Sequence, residues 1–297
     1  MCINDLDPAS PYSAYRPRRA FTLVELLVVI GIIALLISIL LPALSKARES
    51  GNRVKCLSNV RQIVTGFVQY TTANRGFFPF NGSSGRTEDW IAWRTDVNDP
   101  WDAKPMSTHT ADYGIAPYLN FGKNPQVMIC PSDPEPLKTH ARALASGKNY
   151  PFSYALNNLM TSQYAWNLGT GSYQNVNGYY NLIAAKITSV RASSDKILVF
   201  EEADSTIDDG NGSMWCVPAQ TNYFNLVAIR HDRGAIKDQA AELSPTANIA
   251  TPPNAEGKGV VGFCDGHADT LARRVAHTKY HCVPDVDQIP AAGANWP

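Results

Sequence analysis

The sequence predicts an α+β fold: one long N-terminal helix, packed on a head with a mainly antiparallel β-sheet and long loops. Three observations carry that reading. The one long apolar run spans Phe21 to Leu44, near the N-terminus. An amphipathic pattern continues it to about residue 76. Beyond it, short β-rich segments alternate with Gly-, Asn- and Pro-rich stretches and end in a hairpin signal at Asp265-Gly266.

The apolar block is about 24 residues, or roughly 36 Å of helix, enough to cross a hydrocarbon core of about 30 Å with some tilt. Thr22, Glu25 and Ser38 are its few polar interruptions, and Pro42 lies near its end. A secretory signal has a shorter apolar core, about 7–15 residues, followed by a small-x-small cleavage site, which is missing here. A plain membrane anchor accounts for the length but not for Glu25, because a carboxylate in lipid is costly and marks function by default. No Lys or Arg falls inside the block. A cut before Phe21 would create a positive α-amino group. The same helix cannot easily fold that amine back onto Glu25, whereas a neighbouring, staggered helix can supply it. Glu25 then acts in association, since wrong staggers leave its charge unpaired.

Arg18-Arg19-Ala20-Phe21-Thr22-Leu23-Val24-Glu25, followed by the apolar block, resembles the class III signal of type IV prepilins and type II secretion pseudopilins. The resemblance implies cleavage between Ala20 and Phe21 by a prepilin peptidase, N-methylation of Phe21, and Glu25 as the carboxylate that guides each subunit into a filament. Ala20 stands where Gly is usual, and Pro42 falls where pilins commonly carry a Pro. Basic residues flank the block on both sides, so charge counting leaves orientation open. The resemblance places the protein in a bacterial inner membrane, single-pass, with its C-terminal head outside the cytoplasm. The domain reading is a leader at 1–20, a transmembrane helix at 21–44, a stalk helix at 45–76 and a head at 77–297.

Along the stalk, Ala47, Val54, Leu57, Val60, Val64 and Phe67 recur at spacings of mostly three and four, with charged and amide residues on the other face. This stripe is expected to pack on the head. Asn74-Arg75-Gly76 is the expected stop, with Pro79 just beyond. In the head, Val127–Ile129 leads into a turn at Cys130-Pro131-Ser132-Asp133. Residues 152–157 alternate like a short strand, and 163–181 reads as an irregular loop. Lys196–Glu201 is the clearest buried strand. Gly259–Leu271 reads as a hairpin turning on two residues, Asp265-Gly266, at positive φ. Trp90, Trp93 and Trp101 are expected to be buried loop anchors rather than the lining of a groove.

Cys56-Leu57-Ser58-Asn59-Val60-Arg61-Gln62, Cys130-Pro131-Ser132-Asp133, Arg230-His231 and Phe263-Cys264-Asp265-Gly266-His267 extend the likeness. Together they resemble a bacterial family that joins a prepilin-type N-terminus to a His-x9-Asp-Gly, or prepilin-type processing-associated, domain. Here residues 232–264 separate His231 from Asp265, far more than nine. His231, Asp265, Gly266 and His267 are the residues that correspond to the family's hairpin element.

His231, Asp265 and His267, with Glu201, Glu202 or Asp204, offer donors for a metal. Asp204, Asp208, Asp209 and Asn211 offer oxygens for calcium, at a spacing that fails the EF-hand pattern. Simpler roles are a turn for Asp265-Gly266 and a backbone hydrogen bond for His231. No cofactor is assigned, with calcium kept as one candidate. Of six cysteines, none stands in a CxxC or Cys/His zinc spacing. Cys56 and Cys130 are the candidate disulfide, which would close a loop of about 75 residues and contribute about 2–4 kcal/mol.

The 297-residue chain has a formal net charge of +0, which argues against a nucleic-acid partner. Gly-x-Ser-x-Gly, P-loop and HExxH motifs are absent, so no catalytic set is assigned and the chain is not expected to be an enzyme. The expected function is a pseudopilin or pilin-like subunit of a type II secretion or type IV pilus-like filament. Its partners are prepilin peptidase, other pilin-like subunits and the inner membrane. The alternative is a membrane-anchored, extracytoplasmic binding protein or hydrolase acting on envelope carbohydrate or protein.

Overall fold

The computed structural model describes residues 22–79, 90–91, 114–133, 150–163, 166–167, 172–173, 175–176, 179–180, 183–184, 186–204, 206–207, 210–212, 214, 225–232 and 254–282. The chain forms two compact units, Met1–Ala47 and Arg48–Pro297. Helix α1, Leu23–Ala73, contributes residues to both.

In the first unit, α1 carries Leu, Ile and Val on every side, and its most apolar window has a mean hydropathy of 3.1 with none of it buried. A helix apolar all round needs an apolar surrounding, and its length suits a bilayer.

In the second unit, α1 buries Cys56, Asn59, Val60, Ile63, Val64, Gly66, Phe67 and Thr71 along one stripe. The expected stripe is corrected at its start: Val54 is 63% exposed. Asn52, which donates to Ser132 Oγ at 3.0 Å, faces the head, and at about 100° per residue Val54 lies roughly 200° from it, on the outward face. The helix stops where the sequence says it should. Arg75 and Gly76 take left-handed φ of 56° and +84°, and the Gly76 N–H donates to Thr71 O at 2.8 Å.

The head is built on strands β1 (Tyr154–Asn157), β2 (Ile197–Glu201), β3 (Asn211–Gly212), β4 (Lys258–Phe263) and β5 (Ala268–Ala272), in the order β5-β4-β2-β1-β3. The first four of that order pair antiparallel, and the two-residue β3 runs parallel to β1 at the edge. Both faces are covered. Val60, Val64, Phe67, Tyr154, Leu156, Val199 and Val260 form one core, while Ala155, Ile197, Phe200, Met214, Val227, Val261 and Ala276 form another. Burial on both faces explains why β2 reads as an unbroken apolar run rather than an alternation.

Gly262 of β4 fixes the seat of α1. A Cβ there would lie 2.6 Å from Val64 Cγ1 and 2.7 Å from Val60 Cγ1. Trp90 is a buried anchor, as expected: it stacks on Phe67 at 5.7 Å and donates Nε1–H to Gly210 O at 2.8 Å. Trp93 and Trp101 lie outside the described residues.

Two further expectations need correction. The 163–181 stretch contains two-residue ladders, Trp166–Asn167 with Ser172–Tyr173 and Asn175–Val176 with Tyr179–Tyr180. Paired backbone there satisfies its own polar groups without an apolar pattern to announce it. The Asp265-Gly266 turn has three residues rather than two. Gly266 N–H donates to Phe263 O at 3.0 Å, Phe263 N–H to His267 O at 2.9 Å, and only Gly266 has positive φ, +101°. That is the type I turn closed by a left-handed residue, which needs one glycine instead of two special positions.

Candidate functional site

Two places in the chain concentrate polar chemistry. At the start of α1, Thr22 is the N-cap. Its Oγ1 accepts the Glu25 N–H at 3.2 Å, while Glu25 Oε2 accepts the Thr22 N–H at 2.9 Å and the Thr22 hydroxyl at 2.8 Å. This reciprocal pair is a capping box, which satisfies N-terminal backbone donors that lipid cannot. The Thr-x-x-Glu spelling was available in the sequence, where Glu25 is read only as an association charge. Oε1 of Glu25 takes no part in these bonds, so capping leaves an oxygen and the negative charge available to a second helix. Ala20 and Phe21, the expected cleavage and methylation residues, lie outside the described residues.

The second place is buried in the head and is assembled from four distant segments. Helix α1 supplies Glu49 and Cys56. The turn after the 3-10 helix Pro125–Met128 supplies Cys130 and Ser132, closed by Asp133 N–H to Cys130 O at 3.0 Å. Strand β2 ends on Glu201. The segment 225–232 runs beside that end, with Ala228 N–H donating to Glu201 O at 2.7 Å, and so delivers Arg230 and His231.

These side chains meet at short range. His231 Nε2 faces Cys130 Sγ at 3.2 Å and Glu201 Oε2 at 3.5 Å. Cys56 Sγ lies 3.4 Å from Glu201 Oε2 and 3.3 Å from the Tyr154 hydroxyl. Both thiols are free, and the ligand-type atoms of Cys56, Cys130, Glu201 and His231 all lie within 4.8 Å of one another.

An outer layer holds each of them. Glu49 Oε1 lies 2.7 Å from His231 Nδ1 and accepts the Ser132 hydroxyl at 2.8 Å. Arg230 Nη1 donates to Glu201 Oε1 at 2.7 Å, and its Nη2 donates to Glu202 O at 2.8 Å and pairs with Asp204. Ser153 Oγ accepts Cys130 N–H at 2.9 Å and donates to Asp133 Oδ2 at 2.5 Å. Ser132 N–H points at Cys130 Sγ from 3.4 Å.

Burial pushes the Cys56 and Cys130 thiols and the Tyr154 phenol upward, because a charge there would lose its water. Burial opposes a charged His231 too, but the Cys130 contact, the Glu201 charge and the Glu49 bond outweigh it and raise His231 to about 9.

The residues expected around the hairpin separate into two groups. His231 and Glu201 join the buried cluster. Asp265 and His267 instead pair with each other at 2.5 Å, and His267 stacks on Phe263 at 4.2 Å. An added Cβ on Gly266 would lie 3.9 Å from Val68, whereas His231 contacts Glu49. Those α1 positions are roughly 28 Å apart along the helix, so the His and the Asp-Gly turn do not meet. Of the calcium candidates, Asp204 is engaged by Arg230, Asn211 opens β3, and Asp208 and Asp209 lie outside the described residues. Spacing rules missed the buried cluster because its members stand alone in sequence. The cysteine-bearing islands and Arg230-His231 were the available signal.

No curated protein and no solved structure matches the chain. Residues 15–41 match the prokaryotic N-terminal methylation motif. With the long apolar helix α1, that match supports a pilin- or pseudopilin-like, single-pass membrane-anchored protein and points to a structural subunit.

Proposed function

We propose that the protein is a pseudopilin or pilin-like subunit of a type II secretion or type IV pilus-like filament. Prepilin peptidase removes residues 1–20 and the new Phe21 amine is methylated. The chain then sits in a bacterial inner membrane through 21–44, with the stalk, 45–76, and the head, 77–297, outside the cytoplasm. The head is of the His-x9-Asp-Gly type, with a long insertion between His231 and Asp265. Filament growth brings Glu25 of one subunit to the methylated amine of a neighbour of the same or a related kind.

The observation that carries this reading is the capped carboxylate at the head of a helix whose side chains are apolar on every side. A cap alone explains the bonds to Thr22 but does not require a charge, because Gln serves a capping box too. The hydrolase alternative gains nothing from the head cluster, whose Cys56, Cys130, Glu201 and His231 are all buried. Mass spectrometry of the N-terminus of the membrane-extracted protein tests the proposal. A chain beginning at N-methylated Phe21 is expected, and an intact leader overturns it.

A further inference from the structure

We propose that Cys56, Cys130, Glu201 and His231 form a structural zinc site that ties helix α1 to the head. The donors are two thiolates, one imidazole Nε2 and one carboxylate oxygen, a set that suits zinc and completes four-coordination. Geometry supports it. Zn–S of about 2.3 Å and Zn–N and Zn–O of about 2.0–2.1 Å give tetrahedral edges of about 3.3–3.8 Å. The Cys130–His231, Cys56–Glu201 and His231–Glu201 separations are 3.2, 3.4 and 3.5 Å, and the remaining pairs fall within 4.8 Å. A small inward adjustment of side chains closes the tetrahedron.

The outer layer is also what a metal site requires. Ligating histidines donate the other ring N–H to a carboxylate, which fixes the tautomer. Glu49 Oε1 stands 2.7 Å from His231 Nδ1, leaving Nε2 to face the sulfurs. Arg230 takes Oε1 of Glu201 at 2.7 Å and leaves Oε2 directed at Cys56 and His231. The Ser132 N–H supports Cys130 Sγ from 3.4 Å. On binding, the thiol protons and any proton on Nε2 leave to solvent. Two thiolates and a carboxylate around Zn²⁺ carry one net negative charge, which the Arg230 guanidinium faces. Four protein ligands and full burial leave no open position for substrate, so the ion is a staple and not a catalyst. A Cys56–Cys130 disulfide would use the same sulfurs and leave His231 Nε2 and Glu201 Oε2 to face only each other, at 3.5 Å.

The test uses the full chain purified in detergent without chelator. Elemental analysis is expected to find close to one zinc per chain. After stripping, cobalt is expected to give the intense visible absorption of a four-coordinate, thiolate-bound site. Cys56→Ser and Cys130→Ser should bring zinc content near zero, whereas Cys264→Ser, a buried thiol outside the cluster, should leave it unchanged. Glu49→Gln, which keeps all four ligands, should weaken zinc by about 10–100-fold in competition with a chromophoric chelator. The proposal is overturned by a wild-type chain that stays metal-free after incubation with zinc. It is also overturned by a Cys56–Cys130 crosslink in the native protein, or by equal zinc loss in Cys264→Ser.

Discussion

Gly262→Ala tests the seating of α1 on the sheet, on which the buried cluster depends. The new Cβ would stand 2.6 Å from Val64 Cγ1 and 2.7 Å from Val60 Cγ1. Carbon atoms pack comfortably at about 3.5–4.0 Å, so helix and strand must separate by roughly 1 Å or both valines must leave their rotamers. Overpacking of this kind costs about 1–3 kcal/mol. Replacing a glycine restricts the unfolded chain and returns about 0.4–1 kcal/mol, so the net expectation is a loss of about 1–2 kcal/mol. Val64→Ala removes one of the clashing methyls and should recover part of that loss, giving a favourable coupling of roughly 1 kcal/mol in the double-mutant cycle. Urea unfolding of the detergent-purified chain, followed by Trp fluorescence, measures it. Gly51→Ala is the control: nothing lies within 4 Å of its added Cβ, so it should stabilise α1 by up to about 1 kcal/mol. A neutral Gly262→Ala, or strict additivity with Val64→Ala, would refute the close approach of α1 and β4.

Arg230→Met should destabilise the metal-stripped chain by about 3–5 kcal/mol in the same assay, because buried Glu201 loses the guanidinium 2.7 Å away; Arg230→Met with Glu201→Gln should recover much of it. His277 gives a pH signature. Its Nε2 accepts the Val227 N–H at 3.3 Å and its Nδ1–H donates to Met214 O, which fixes the neutral ring. Burial, with the nearby Arg273 charge, lowers its pKa from 6.5 to about 4 despite the opposing Met214 bond. The unfolded chain therefore binds the proton first, and stability falls as pH drops from about 6.5 to about 4, by up to roughly 3 kcal/mol. The difference between wild type and His277→Gln across that window isolates the effect, and parallel curves would contradict it.

The parts of the fold that depend on local pattern were legible in the sequence. The apolar block, the stop at Asn74-Arg75-Gly76, the buried β2 and the β4–β5 hairpin all announce themselves over a few consecutive residues. What depends on tertiary contact did not. Val54 follows the spacing of three to Leu57 but falls on the outward face of α1, and Gly66 is small because a Cβ there would lie 2.9 Å from Leu119. The buried cluster was the least legible. Glu49, Cys56, Cys130, Glu201 and His231 come from four segments, and no local rule brings them together. Arg230-His231 and the two Cys islands are visible in the sequence, but the family resemblance pairs the histidine with the Asp-Gly turn. Residues 232–264 already separate those in the chain, and the fold keeps them apart.

In the proposed filament, the charge of Glu25, and not only its cap on Thr22, holds subunits together. Crosslinking of the full-length chain in native membranes tests it directly, comparing wild type, Glu25→Gln and Glu25→Ala. Glutamine keeps an acceptor for the Thr22 N–H and hydroxyl but carries no charge. Both variants should remain monomeric while wild type forms a crosslinked ladder. A ladder from Glu25→Gln as strong as wild type would contradict it and leave Glu25 a helix cap alone.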